Sequence, residues 1–319
     1  MGRRLAFLGV ALCVVLVTVA VYRNWPQPPE EQPAAITEHK VSSTPHTVAA
    51  VTKSEIIGRE LVATLGMAPA QGFPAALAWN PVLDIGSEGG FPLENLLHAH
   101  PLLFLEVCAD RFDRQVKGYT CTFVKKERID GKLFPPGKHD YEVIKVACRE
   151  EPFSVFFEWK LHRRLAARAL YVEGENDDKI LARPFVTFMP VRMVAVDDAD
   201  AKKSGRYPMS QFGMGLAIKR SVASMQRAQA RGTLHLRYEG QFKVEEAGDR
   251  VCYKFVRTPY EPVEEDVLNE LTLYIDRDTW LQVGSVLRDS EGNLLAEYFF
   301  RDIAVNPTFS EAQFTRGAL

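Results

Sequence analysis

Apolar and polar residues alternate along residues 119–172 in four successive runs, and no other feature of the chain constrains the fold as strongly. A period of two is the pattern of a β-strand that buries one face and exposes the other. Turn-forming residues separate the runs, at Asp130-Gly131, at Pro135-Pro136-Gly137 and at Glu151-Pro152. The segment therefore predicts an antiparallel meander with one apolar, aromatic face.

The chain beyond the meander is predicted to form further short strands, separated by turns such as Ala247-Gly248-Asp249. Most of these strands have no helix between them, which favours an antiparallel over a parallel sheet. We predict these strands at residues 179–183, 185–196, 233–245, 250–257, 271–276, 281–289 and 294–303. Together with the four runs of the meander, they predict an α+β domain whose sheet has about eleven strands.

Two amphipathic helices are predicted to accompany the sheet. The first spans residues 94–114 and leads into the meander, because its apolar residues recur every three or four positions. The second follows Pro208 and ends at Gly232, a residue type that favours the end of a helix. The apolar face of the second helix comprises Met214, Ile218, Val222 and Met225. We expect this face to pack on the apolar face of the sheet.

Four stretches of the chain resemble DUF1571, a family of secreted bacterial domains of unknown function. They are Tyr119-Thr-Cys-Thr-Phe-Val-Lys-Lys-Glu-Arg128, Asp130-Gly131-Lys132, Pro152-Phe153-Ser154-Val155 and Leu170-Tyr171-Val172-Glu173-Gly174. That family is similar to the lipoprotein carrier and sorting proteins, whose half-open barrels hold acyl chains under a helical lid. The resemblance covers residues 95–314. It implies a strongly curved antiparallel half-barrel sheet with helices covering the concave face, and its motifs are structural rather than catalytic.

The resemblance implies that a lipid, or the acyl chains of a lipoprotein, binds between the sheet and the second helix. The residues expected to contact it on the sheet are Tyr119, Phe123, Val155, Phe157, Trp159 and Tyr171. Those expected on the helix are Met214, Ile218, Val222 and Met225. The alternative is a structural or interaction module of the cell envelope, in which the helix and sheet form a filled core without a ligand.

The N-terminal part of the chain predicts export. Arg3 and Arg4 precede an uncharged apolar run, so residues 1–22 fit either a signal peptide or an N-terminal membrane anchor. Residues 23–92 are rich in Pro and polar residues and predict a mostly disordered linker. The half-barrel domain is assigned to residues 93–316. We expect it on the periplasmic side of the inner membrane, anchored there or soluble if the N-terminal segment is cleaved.

Charge and motifs exclude several classes of protein. A net charge of -2 argues against nucleic-acid binding, and the basic cluster at residues 160–164 is typical of a solvated loop. The sequence contains no nucleophile elbow, phosphate loop or Cys-x-x-Cys motif, so we expect no enzyme and no cofactor. Neither His98 and His100 nor residues 197–200 have the additional ligands of a metal site. We expect a monomer.

Export makes disulfides chemically accessible to the cysteines after the N-terminal segment. They are Cys108, Cys121, Cys148 and Cys252. If the first hairpin is symmetric about Phe134-Pro135, Cys121 lies opposite Cys148, within reach of a cross-strand disulfide. Buried free thiols are the alternative, because the cysteine spacings match no known disulfide framework.

Overall fold

The computed structural model describes residues 93–186, 188–260 and 267–319, and one antiparallel sheet runs through all three ranges. The predicted signal or anchor segment, residues 1–22, and the predicted linker, residues 23–92, lie outside the described residues. Within the three described ranges, no helix is both long and apolar enough to cross a membrane.

The sheet has twelve strands. They are β1 (Gly118–Ile129), β2 (Lys132–Phe134), β3 (Glu142–Arg149), β4 (Ser154–Leu161), β5 (Ala166–Val172), β6 (Ile180–Pro184), β7 (Arg192–Val194), β8 (Leu236–Val244), β9 (Arg250–Arg257), β10 (Glu270–Asp276), β11 (Gln282–Arg288) and β12 (Leu294–Val305). Their order is β7-β6-β5-β4-β3-β1-β12-β11-β10-β9-β8, and β2 pairs with β1 alone. Because β7 and β8 are the two edges of this order, the described sheet is open, which confirms the predicted α+β half-barrel.

Four α-helices accompany the sheet within the described ranges. They are α1 (Leu93–Ala99), α2 (Pro101–Gln115), α3 (Ala199–Ser204) and α4 (Met214–Arg231). The predicted helix at 94–114 is divided into α1 and α2, because Pro101 cannot sit inside a helix but fits the first turn of α2. The predicted helix end at Gly232 is confirmed: this residue has a left-handed φ of 72° and donates its N–H to the last turn.

The predicted strand at 185–196 was wrong over most of its length. Only Arg192–Val194 pairs with the sheet, as β7, and residues 185, 186 and 188–191 form no strand. Pro184 and Pro190 bracket this loop and lack the amide N–H that a strand in a ladder must donate. The β6–β7 loop therefore leaves the sheet at its edge.

The predicted register of the first hairpin was also wrong. Tyr119 lies opposite Cys148, whereas Cys121 lies opposite Val146. The difference arises because β2 folds back on β1 immediately after Asp130, so the hairpin is not centred on Phe134-Pro135. The possible disulfide between Cys121 and Cys148 is absent from the structure, and the four cysteines of the described residues are buried free thiols, as the alternative expected.

Helices α2 and α4 fill part of the concave face. The Phe104 ring of α2 lies 5.6 Å from the ring of Phe255 and 5.1 Å from that of Trp280. Helix α4 packs beside α2 so closely that a Cβ at Gly215 would overlap the ring of Phe112. The concave face near β9 is therefore occupied by side chains of the protein itself.

Candidate functional site

A cavity of about 550 Å³ occupies the rest of the concave face. Its walls come from β1, β4–β7, β10–β12, α4 and a segment that links α3 to α4. We call this linking segment, residues 204–213, the cover segment. A cluster of aromatic rings lies where the cover segment meets the sheet: the ring of Phe212 is 5.1 Å from that of Phe123, 4.7 Å from that of Phe157 and 5.9 Å from that of Phe300. The wall is thus mainly apolar and aromatic.

Three of the six predicted sheet residues, Phe123, Phe157 and Trp159, line this cavity. The other three do not. Tyr119 is fully buried in the core, where its hydroxyl accepts a hydrogen bond of 3.2 Å from the backbone N–H at the start of α4. Val155 and Tyr171 lie opposite each other on β4 and β5 and are buried away from the cavity wall. The period of two identified which face of the sheet is buried, but not which part of that face borders the cavity.

The predicted apolar face of α4 lies in the core and not on the cavity wall. Its four members are all buried: Met214, Ile218, Val222 and Met225. A neighbouring side of the helix lines the cavity with small residues, Ala217, Ser221 and Ser224, flanked by two arginines, Arg220 and Arg227. Helix α2 packs against one flank of α4, at Gly215, and the cavity lies along the other flank, so the apolar stripe is buried between them. The small residues, three to four positions apart, were the sequence signal that could have indicated the cavity side.

One end of the cavity wall carries buried charges. Lys125 and Glu127 line the cavity from β1, with 2.8 Å between the Lys125 Nζ and a carboxylate oxygen of Glu127. Glu142 lies 3.4 Å from the same Nζ. The Tyr298 hydroxyl donates a hydrogen bond of 2.6 Å to Glu127, and the Trp159 indole N–H donates one of 3.2 Å to Glu142. Every charge in this cluster therefore has a partner of the opposite sign.

The cluster also attaches the cover segment to the sheet. Lys125 donates a hydrogen bond of 2.7 Å to the backbone carbonyl of Ser204, and Glu127 accepts one of 3.1 Å from the backbone N–H of Arg206. A third contact comes from α4, where the Arg220 guanidinium lies 3.9 Å from the centre of the Tyr207 ring. Polar contacts at one end and aromatic packing at the other hold the cover segment over the cavity.

Burial and ion pairing act in opposite directions on the pKa values of this cluster. Burial lowers the pKa of Lys125, but Glu127 and Glu142 outweigh it and the net shift is upward. Burial raises the pKa of Glu127, but Lys125 and the Tyr298 hydroxyl outweigh it and the net shift is downward. For Glu142, burial prevails over the nearby cations and the pKa is raised. Lys125 and Glu127 are thus held in their charged forms, which suits a structural attachment better than proton transfer.

Sequence reasoning missed this charged cluster, although a signal for it was present. Continuing the period of two from Phe123 places Lys125 and Glu127 on the buried face of β1. Charged residues at such positions need partners.

Over the described parts of the chain, no group of three His, Cys, Asp or Glu side chains is placed to hold a metal ion.

Comparison with solved structures finds weak likenesses. A chain in the complex structure of Pseudomonas aeruginosa MucA/MucB is 19% identical with a TM-score of 0.40, covering 68% of this chain and 61% of that chain. The Mycobacterium tuberculosis lipoprotein LppX is 12% identical with a TM-score of 0.38, covering 66% and 97%. A LolA superfamily protein from Nitrosomonas europaea is 9% identical with a TM-score of 0.28, covering 68% and 97%. The chain spans about three fifths of the MucB chains that it matches.

Comparison with curated protein sequences finds no match. The family comparison is specific, since the model described as "Protein of unknown function (DUF1571)" matches residues 116–318. The match begins just before β1 and includes every strand and the cavity wall. The chain therefore belongs to the DUF1571 family.

Proposed function

We propose that this protein binds a lipid, or the acyl chains of a lipoprotein, in the cavity between α4 and the sheet. It acts without catalysis, as a carrier or a sensor, on the periplasmic side of the inner membrane. We infer this location from the predicted export segment at residues 1–22.

The observation that carries the proposal is the size of an apolar cavity in an otherwise closely packed domain. Its volume of about 550 Å³ lies within the range of roughly 300–1,000 Å³ that ligand sites occupy. A single water needs only about 10–15 Å³ on the same measure. Well-packed cores contain few voids larger than a water, so a cavity of this size favours a ligand over a filled core.

The side chains on the wall support an apolar ligand with one polar end. Phe123, Phe157 and Phe212 form an aromatic surface for hydrocarbon. Arg192 and Arg227, which also line the cavity, are exposed to solvent and suit a polar or anionic group at the surface. Acyl chains with an attached head group combine these two features.

The second candidate is a structural or interaction module of the cell envelope that has no ligand. The filled part of the concave face favours it, because Phe104 of α2 is packed there among Tyr253, Phe255 and Trp280. The two candidates differ only in what occupies the open part of the face.

The test is native mass spectrometry with lipid extraction, on the protein purified from its own envelope. We expect an adduct that releases a lipid or an acylated peptide on extraction. Binding of a fluorescent fatty acid then locates the site. Ser221→Phe fills the cavity and should weaken binding about tenfold or more, whereas Ala230→Phe, on the exposed side of the same helix, should not. A wild-type protein with no adduct and no fatty-acid binding would leave the structural module as the function.

A further inference from the structure

Two loops meet at the mouth of the cavity. The pairing of Ala166 with Pro184 brings the β4–β5 turn and the β6–β7 loop to the same end of the sheet. Leu165 from the turn and Phe185 from the loop both line the cavity, yet they are 46% and 53% exposed. We call residues 160–165, 184–186 and 188–193 the mouth rim. The cavity therefore reaches the protein surface at this rim.

The mouth rim exposes more apolar side-chain surface than is usual on a soluble protein. Phe188, at the tip of the β6–β7 loop, is 79% exposed and does not line the cavity. Leu161 is also an exposed large hydrophobic residue on the rim. Clustered exposed apolar residues of this kind mark an interaction surface. Aromatic side chains are favoured where water meets lipid.

The charges around these apolar residues are of one sign. Residues 160–168 contain four Lys or Arg and one His, and residues 183–192 contain two Arg, but neither stretch contains an Asp or Glu. Glu158 pairs with Lys160 and Arg168, whereas Arg163 and Arg192 are exposed. Beyond the rim, residues 197–203 contain three Asp and two Lys, a net charge of -1 that lies outside the rim. The rim therefore presents apolar side chains inside a net positive border.

We propose that the mouth rim docks on a bilayer that carries anionic head groups, with Phe188 entering the interface between head groups and acyl chains. An anionic lipid surface satisfies both features at once: it attracts the basic border and accepts the apolar tip. Docking in this orientation places the mouth of the cavity against the membrane. The proposal does not require a ligand in the cavity, so it succeeds or fails independently of the proposed function.

The test uses the full chain with a polarity-sensitive fluorophore on a single introduced cysteine. Cys13→Ser removes the cysteine of the N-terminal segment, and the other four are buried. The fluorophore is attached at Phe188→Cys or, as a control, at Phe242→Cys. Phe242 is 43% exposed but lies on β8 near the opposite end of the sheet. The control separates docking of the rim from any membrane attachment by residues 5–22.

We expect the fluorophore at position 188 to shift to the blue, and to be quenched by quenchers within the bilayer, on vesicles of phosphatidylcholine with phosphatidylglycerol. Pure phosphatidylcholine vesicles should give little signal, and position 242 should give little with either. Arg163→Gln should weaken the response about fivefold, since one basic residue near an anionic surface contributes about that factor. Lys243→Gln, at the opposite end of the sheet, is its matched control. Equal signals at the two positions, no signal at 188, or a response indifferent to lipid charge would overturn the proposal.

Discussion

Met225→Ala tests whether α4 is a fixed part of the core or a loosely packed lid. Met225 is fully buried in the main core and does not line the cavity. The helix cannot easily move to fill the space, because polar contacts of 2.8 Å from Lys219 to Asp113 and 2.6 Å from Gln226 to Glu106 join it to α2. Replacing a buried Met by Ala lowers the free energy of unfolding by about 2–5 kcal/mol. Because the surrounding residues can relax only partly into the space, we expect a value near the middle of that range.

We therefore expect Met225→Ala to lower the free energy of unfolding by about 3 kcal/mol. With a urea dependence of about 2 kcal/mol per molar, the midpoint should fall by about 1.5 M. The assay is urea unfolding followed by circular dichroism, paired with titration of a fluorescent fatty acid. Binding of the fatty acid to the folded variant should be unchanged, because Met225 does not line the cavity.

Ser221→Phe is the matched variant: Ser221 lies one turn earlier on α4 and lines the cavity, whereas Met225 does not. It should change stability by less than Met225→Ala while abolishing most fatty-acid binding. A small loss of stability for Met225→Ala together with weaker fatty-acid binding would refute the reasoning. That result would mean that the apolar face of α4 contacts the ligand and packs only loosely without it.

Three further predictions concern single sites. Burial raises the pKa of Glu150 to about 7, so stability should fall as the pH rises from about 4.5 through 7, because the unfolded chain releases a proton that the folded chain retains. Glu150→Gln should therefore raise the free energy of unfolding by about 1–3 kcal/mol at pH 8 and leave it unchanged at pH 4, as measured by urea unfolding at both pH values. Gly215→Ala should cost about 1–3 kcal/mol in the same assay, because its Cβ overlaps the Phe112 ring between the two helices, and a neutral effect would mean that α2 and α4 separate easily. Thiol titration of the unfolded, unreduced protein should find Cys121 and Cys148 free, whereas a disulfide between them would contradict the β1–β3 register.

Features that depend on neighbouring residues could be predicted from the sequence. The alternation in β1, β4 and β5 and the helical period of α4 arise within single elements, so strand positions and the helix end at Gly232 were found correctly. The register of the first hairpin depends instead on where the chain turns back. That position is set by the pairing of Phe134 with Glu127, which no local pattern indicates.

The cavity could be predicted only in part, for a related reason. Periodicity shows that Met225 and Val222 are buried, but it does not show which element covers them. Here they are buried in the main core, and smaller residues on a neighbouring side of α4, such as Ser221, face the open space. The charges of Lys125 and Glu127 are tolerated on a buried strand face because the two pair with each other and because Glu142 and the backbone of Arg206, distant in sequence, add further partners.

The attachment of the cover segment has a consequence for how the cavity can vary. Lys125 and Glu127 hold this segment through a backbone carbonyl and a backbone N–H, and not through its side chains. Any residue except proline at position 206 provides that N–H, and every residue at position 204 provides that carbonyl. The side chains that the segment presents to the cavity, including Met209 and Gln211, can therefore change without loss of these two bonds or of the packing of Phe212. One half-barrel can in this way present differently shaped cavities while its closure stays the same.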